Sequence, residues 1–222
     1  MPLLTVDNLI EWACLVVGLL CLRPWTPVPV KVITGLVLVT VINETWVAPY
    51  VHFFPYYNKN TSYNIFSFLD MGAWFYLFYA LFPPGRKRWV LVAAAGVYAY
   101  SLVELCRPRG WVRLHTDSLR VYDLVMIAFS CIYLYGIARK EYHRVRTDPY
   151  FWLCAACLFY QCMLFLNFST LGQSSYWLIE GARYIYYLLQ AATNILYYLM
   201  ISVAFIICYR SKRTSGITSL QP

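Results

Sequence analysis

Seven apolar runs, each about as long as the hydrocarbon core of a bilayer is thick, follow one another in this chain with only short joints between them. A backbone in lipid must satisfy its own hydrogen bonds, and runs of this length do so as helices. The runs fall near residues 3–22, 27–47, 64–82, 89–106, 119–138, 149–168 and 177–209. The joints contain Arg23-Pro24, Pro83-Pro84-Gly85 and Asp148-Pro149, where proline lacks the amide donor and clashes with the preceding turn. Seven such spans with their joints leave little of the 222 residues for a domain outside the membrane. The expected fold is all-α: a polytopic membrane protein, a seven-transmembrane helix bundle over residues 1–210 with a short basic tail at 211–222. Composition agrees, since 13% of residues are charged, against about a quarter in soluble domains. The N-terminus lacks the basic region and small-residue cleavage site of a signal peptide, so the first run is expected to remain as a helix.

Lys and Arg orient the bundle. With the N-terminus outside and the C-terminus cytoplasmic, twelve of the eighteen cations face the cytoplasm, from Arg23 and Lys31 through Arg86-Lys87-Arg88, Arg139, Lys140, Arg144 and Arg146 to Arg210, Lys212 and Arg213. The net charge of +8 is then an inner-surface property matched to anionic membrane lipids, and nucleic acid is not needed to explain it. Trp12, Trp46, Trp111 and Trp177 fall near one boundary and Trp25, Trp89 and Trp152 near the other, the headgroup depth that indole rings prefer. Only Trp74 is expected deep inside. Against the trend, Arg107-Pro-Arg-Gly-Trp-Val-Arg113 is basic yet falls outside. Its guanidinium groups suit pairing with outer acids and headgroups, or an anionic ligand.

Eight of the ten acids fall in or beside the outer half of the bundle: Asp7, Glu11, Glu44, Asp70, Glu104, Asp117, Asp123 and Glu180. Acids in membrane spans are expensive and usually functional. In the last run Glu180, Arg183, Tyr187, Gln190, Asn194, Tyr198 and Ser202 recur every three or four residues, hence on one helical face that should meet protein. Asp7, Glu11, Cys14, Gly18 and Cys21 form such a face in the first run, and Asn64, Ser67, Met71 and Trp74 in the third. The candidate ligand-binding residues are Glu11, Asp70, Glu180, Arg183, Tyr187, Gln190 and Asn194, with Arg183 as counter-ion to the acids. Gln190 and Asn194 serve equally well as interhelical glue. Arg120 and Asp123, three residues apart, are expected to form a local pair.

Other chemistries find no support. The eight cysteines lie mostly in apolar runs and read as small packing residues, Cys154-Ala-Ala-Cys157 included, because no cation stands near to generate a thiolate. His52, His115 and His143 divide between the two faces, so no three-histidine metal site is expected, and no catalytic residue or cofactor is assigned. The tyrosines at 98, 100, 133, 135, 184, 186, 187, 197 and 198 suit packing and interface anchoring as well as a pocket wall.

Tyr63-Asn-Ile-Phe-Ser-Phe-Leu-Asp70, Asp148-Pro-Tyr-Phe-Trp152 with Leu158-Phe-Tyr160, and Asn194-Ile-Leu-Tyr197 ahead of a basic tail resemble an uncharacterised family of small seven-helix inner-membrane proteins of Gram-negative bacteria. Asp70 stands where that family more often has glutamate. The resemblance implies a multi-pass protein of the bacterial inner membrane and carries over no activity. The functional expectation is a receptor-like or sensory module, whose outward polar cavity takes a small molecule and whose basic loops signal to a separate cytoplasmic or membrane effector protein. A proton-coupled transporter of small solutes or ions using Glu11, Asp70 and Glu180 is the second expectation, and an intramembrane enzyme using paired carboxylates the third.

Overall fold

The computed structural model of the protein describes residues 6–47, 59–107, 110, 114–140, 142–171 and 180–218. Among the described residues there are seven α-helices and no strand: α1 (Val6–Cys21), α2 (Val28–Ile42), α3 (Lys59–Leu81), α4 (Pro84–Leu105), α5 (Thr116–Lys140), α6 (Pro149–Leu171) and α7 (Glu180–Thr218). A π-helical turn, Asn43–Val47, extends α2, and a 3-10 turn, Tyr142–Thr147, joins α5 to α6. Five stretches are long and apolar enough to cross a bilayer: Val28–Val47, Pro84–Leu105, Thr116–Arg139, Pro149–Asn167 and Leu188–Ser211. The chain is thus a helical, membrane-embedded protein. Within α1, Asn8–Cys21 is apolar but shorter. The 23 residues of α3 reach about 34 Å, yet its first three turns carry Asn60, Thr61, Ser62, Asn64 and Ser67, which lower its hydropathy.

Proline fixes where helices begin. Pro27 and Pro83 precede α2 and α4, and each helix has a proline in its first turn, where the missing amide is harmless. Asp148 caps α6, its Oδ1 accepting from the Tyr150 amide at 2.9 Å. Each helix packs on the next in sequence, α7 returns to α1, and α3 also reaches α5. Gly18 allows the return: a Cβ there would stand 2.9 Å from the Phe205 ring of α7 and 3.0 Å from Thr34 of α2. The last helix continues unbroken past Arg210 to Thr218, so no break in structure marks the start of the expected tail.

The bundle is apolar on its flanks, and its apolar core encloses a smaller set of polar side chains. Leu19, Leu20, Leu38, Ile65, Leu69, Leu91, Val92, Leu102, Val103, Leu124, Leu188 and Leu189 are exposed on helix flanks, a surface suited to lipid. Trp12, Trp25, Trp46 and Trp89 are exposed, whereas Trp74 is buried at the centre. Below it Phe75, Phe78, Phe82 and Phe129 interlock, with ring centroids 5.5 Å apart for Phe82–Phe129 and 5.6 Å for Phe78–Phe129. Buried and half-buried hydroxyls bond back along their own helices, as Thr34 does to the Val30 carbonyl, Thr40 to Leu36 and Ser202 to Tyr198.

Candidate functional site

Four helical segments bring acids to one region. Tyr160 of α6 is half-buried among aromatic rings, and its hydroxyl lies within electrostatic range of Asp70 from α3, Glu44 from the π-helical turn, Glu11 from α1 and Asp123 from α5. The aromatic wall comes from α6 and α7: Tyr160 stacks on Tyr197 at 4.3 Å, Tyr197 meets Tyr198 edge-on at 4.9 Å, and Trp74 approaches Tyr197 at 6.4 Å.

Each acid is held differently. Asp70 accepts a hydrogen bond from the Tyr122 hydroxyl at 2.9 Å, which ties α3 to α5. Glu44 accepts from the Tyr63 hydroxyl at 2.9 Å. Glu11 is buried, on the same side of α1 as Cys14 and Gly18. Asp123 follows Tyr122 and is wholly buried, and neither of its oxygens has a hydrogen-bond partner among the described residues. It lies within electrostatic range of Asp70. Another buried polar atom, Gln161 Oε1 beside Tyr160 on α6, also makes no hydrogen bond among the described residues.

A second polar layer closes one end of the bundle. The π-helical turn inserts an extra residue into the last turn of α2, a distortion common at functional sites, and both Asn43 and Glu44 reach α3: Ser62 donates to Asn43 Oδ1, and Tyr63 to Glu44. Asn64 straps down the loop after α4, its Oδ1 accepting from the His115 amide at 3.3 Å and its Nδ2 donating to the Gly110 carbonyl at 3.5 Å. The His115 ring bonds that same carbonyl through Nε2 at 3.0 Å. Gly110 is obligatory here, because a Cβ would overlap the Leu105 carbonyl oxygen. Glu104 then caps α5, accepting from the Ser118 amide at 3.0 Å. Between these groups lies a recess of about 220 Å3 lined by Glu104, Arg107, Leu114, His115 and Asp117.

The structure gathers some of the expected site residues and separates others. Glu11 and Asp70 share the Tyr160 neighbourhood. Asn194 is half-buried, but Gln190 is exposed, as are Leu188 and Leu189 beside it, so this part of the α7 face is uncovered instead of meeting protein. The side chains of Glu180, Arg183 and Tyr187 lie outside the described residues. The expected Arg120–Asp123 pair does not form: Arg120 turns back one helical turn to Asp117, at 3.0 Å. That pair is half-exposed in the first turns of α5, where both charges keep some water, whereas Asp123 is fully enclosed. Glu44, Tyr122, Asp123 and Tyr160 are among the residues that sequence reasoning left out of the site. The signal for Asp123 was present in its face of α5, shared with Met126 and Ser130 at spacings of three and seven. No protein-family profile, curated protein or solved structure matches this chain.

Proposed function

We propose that this chain is a receptor-like, sensory membrane module. In this reading it has seven spans in a bacterial inner membrane, the N-terminus outside and the C-terminus in the cytoplasm. The inward acids respond to a small ligand or cation arriving from the outer side, and the basic loops pass the change to a separate effector protein. The observation that carries the reading is Asp123, enclosed by the bundle, with both carboxyl oxygens unpartnered among the described residues. A lone carboxylate in such surroundings is tolerated only with its charge cancelled, by a proton or by a cation. Its partner in electrostatics, Asp70, is tied through Tyr122 to the same helix, so a change of charge at one acid is felt across the α3–α5 contact.

Proton-coupled transport is the second reading, favoured by the same acids. Weighing against it, Phe75, Phe78, Phe82 and Phe129 fill the bundle on the far side of the acids from the recess. Proline occurs only in the first turn of the described helices, so no discontinuous span forms a midplane ion site. Infrared difference spectroscopy of the protein in nanodiscs, stepped in pH and then in sodium or calcium, tests the assignment. A carboxyl band should respond in the wild type and vanish in Asp123→Asn, and sealed vesicles holding a pH dye should show no proton flux. An identical spectrum from the variant would overturn the sensory reading, and steady flux would replace it with transport.

A further inference from the structure

At the end of the bundle away from the recess, α4 and α5 separate. Glu104 binds the two helices together at the outer end through the first amides of α5. Near the opposite end they diverge around a cleft of about 1110 Å3, bounded by the close of α3, the start of α4, the last turns of α5 and the start of α6. Its walls are Phe82, Trp89, Phe129, Ile132, Tyr133 and Ile137. Ile132 lies seven residues before Arg139, so the apolar part runs about 10 Å along α5 from the charged rim.

Two guanidinium groups from different helices stand at that rim, Arg86 on α4 and Arg139 on α5, both exposed and neither with a side-chain partner among the described residues. Their neighbours are occupied otherwise: Lys87 sits over the Tyr79 ring at 4.8 Å and Arg88 over Trp89 at 5.4 Å. The acid on this rim, Asp148, is engaged as the cap of α6. A planar guanidinium pair matches the oxygens of a phosphodiester, while the aromatic and branched walls below match the first part of an acyl chain. Water-filled, such a cleft would leave a large apolar wall wet.

We infer that this cleft is a binding site for one anionic glycerophospholipid, the phosphate held between Arg86 and Arg139 and an acyl chain lying between α4 and α5 against Phe129 and Ile132. The site is independent of the acids around Tyr160 and does not depend on the sensory reading. Charge selects the lipid class: a zwitterionic headgroup presents a cation of its own to the same arginines. A helix from another protein would fill the apolar wall but would leave the two guanidinium groups unanswered.

Gly136 supplies a test that does not endanger folding. It lines the cleft, and a Cβ built on it meets nothing within 4 Å, so a side chain added there starts in open space. The full-length protein, delipidated in mild detergent, should be titrated with short-chain phosphatidylglycerol, short-chain phosphatidylcholine and inorganic phosphate, with thermal stability and native mass spectrometry as readouts. Phosphatidylglycerol should raise the melting temperature and add the mass of one lipid, and the other two probes should not. The Arg86→Gln, Arg139→Gln double variant should bind it about thirtyfold more weakly. Gly136→Phe should keep the lipid-free melting temperature and lose the response. Equal stabilisation by phosphatidylcholine, or by phosphate alone, would overturn the assignment, as would full lipid binding by Gly136→Phe or by the double variant. So would a copurifying polypeptide that the lipid does not displace.

Discussion

Neighbouring positions on α5 make opposite predictions. The Tyr122 hydroxyl satisfies Asp70, and Tyr122→Phe leaves that carboxylate short of a donor, a loss of about 1.5–3 kcal/mol in thermal stability in detergent. Asp123 has no such partner among the described residues, so Asp123→Leu should match or exceed the wild type in melting temperature while abolishing any response to protons or cations. If Asp123→Leu unfolds the protein and Tyr122→Phe leaves it unchanged, the roles given to the two side chains are reversed. The sequence marked both acids as anomalous for a membrane span, but spacing alone favoured Arg120 as the mate of Asp123. Helical spacing states which side chains are able to meet, whereas solvation decides which do. Arg120 stays at the wetter Asp117, an outcome legible only once the depth of each residue in the bundle is known.

Among the elements, the helical glycines differ in role: Gly18 stands at a close helix approach and Gly96 does not. Gly18→Leu should drive α1 away from Phe205 and Thr34 and lower stability by about 2 kcal/mol. Gly96→Ala, in open space on α4, should be neutral or add up to about 1 kcal/mol through helix propensity. Comparable melting temperatures for these two variants would show that α1 does not depend on that contact. The existence and order of the helices were legible because hydropathy and proline placement are local properties. The π-helical turn was not, since nothing in Asn43-Glu-Thr-Trp-Val47 forbids an ordinary helical end, and its reach toward Ser62 and Tyr63 is a tertiary effect. Gly110 is another case: as one glycine in a basic loop it gave no sign of the Leu105 carbonyl packed against it.

For the whole molecule the orientation is open to direct measurement. Cys106 is exposed at the end of α4 and Ser211 is exposed on α7 at the opposite end of the bundle. In a variant retaining only Cys106, an impermeant thiol reagent should label intact cells from outside. A variant carrying only Ser211→Cys should be labelled after permeabilisation. Both reacting from the same side would refute the seven-span arrangement. The cysteine-free parent should retain ligand or cation responses, because Cys14, Cys154 and Cys157 are packed in the core as small apolar groups.

The unbroken course of α7 has a mechanical corollary. Its 39 residues measure about 58 Å, nearly twice the thickness of a bilayer's hydrocarbon core, and Tyr198, in the aromatic wall beside Tyr160, sits close to the midpoint. From Tyr198 to Thr218 is about 30 Å of stiff rod. A tilt of about 10° at the wall therefore sweeps the far tip sideways by about 5 Å, roughly one helical pitch. A displacement too small to disturb the packing of tyrosine rings thus arrives at the far end as a lever stroke on the scale of a side chain.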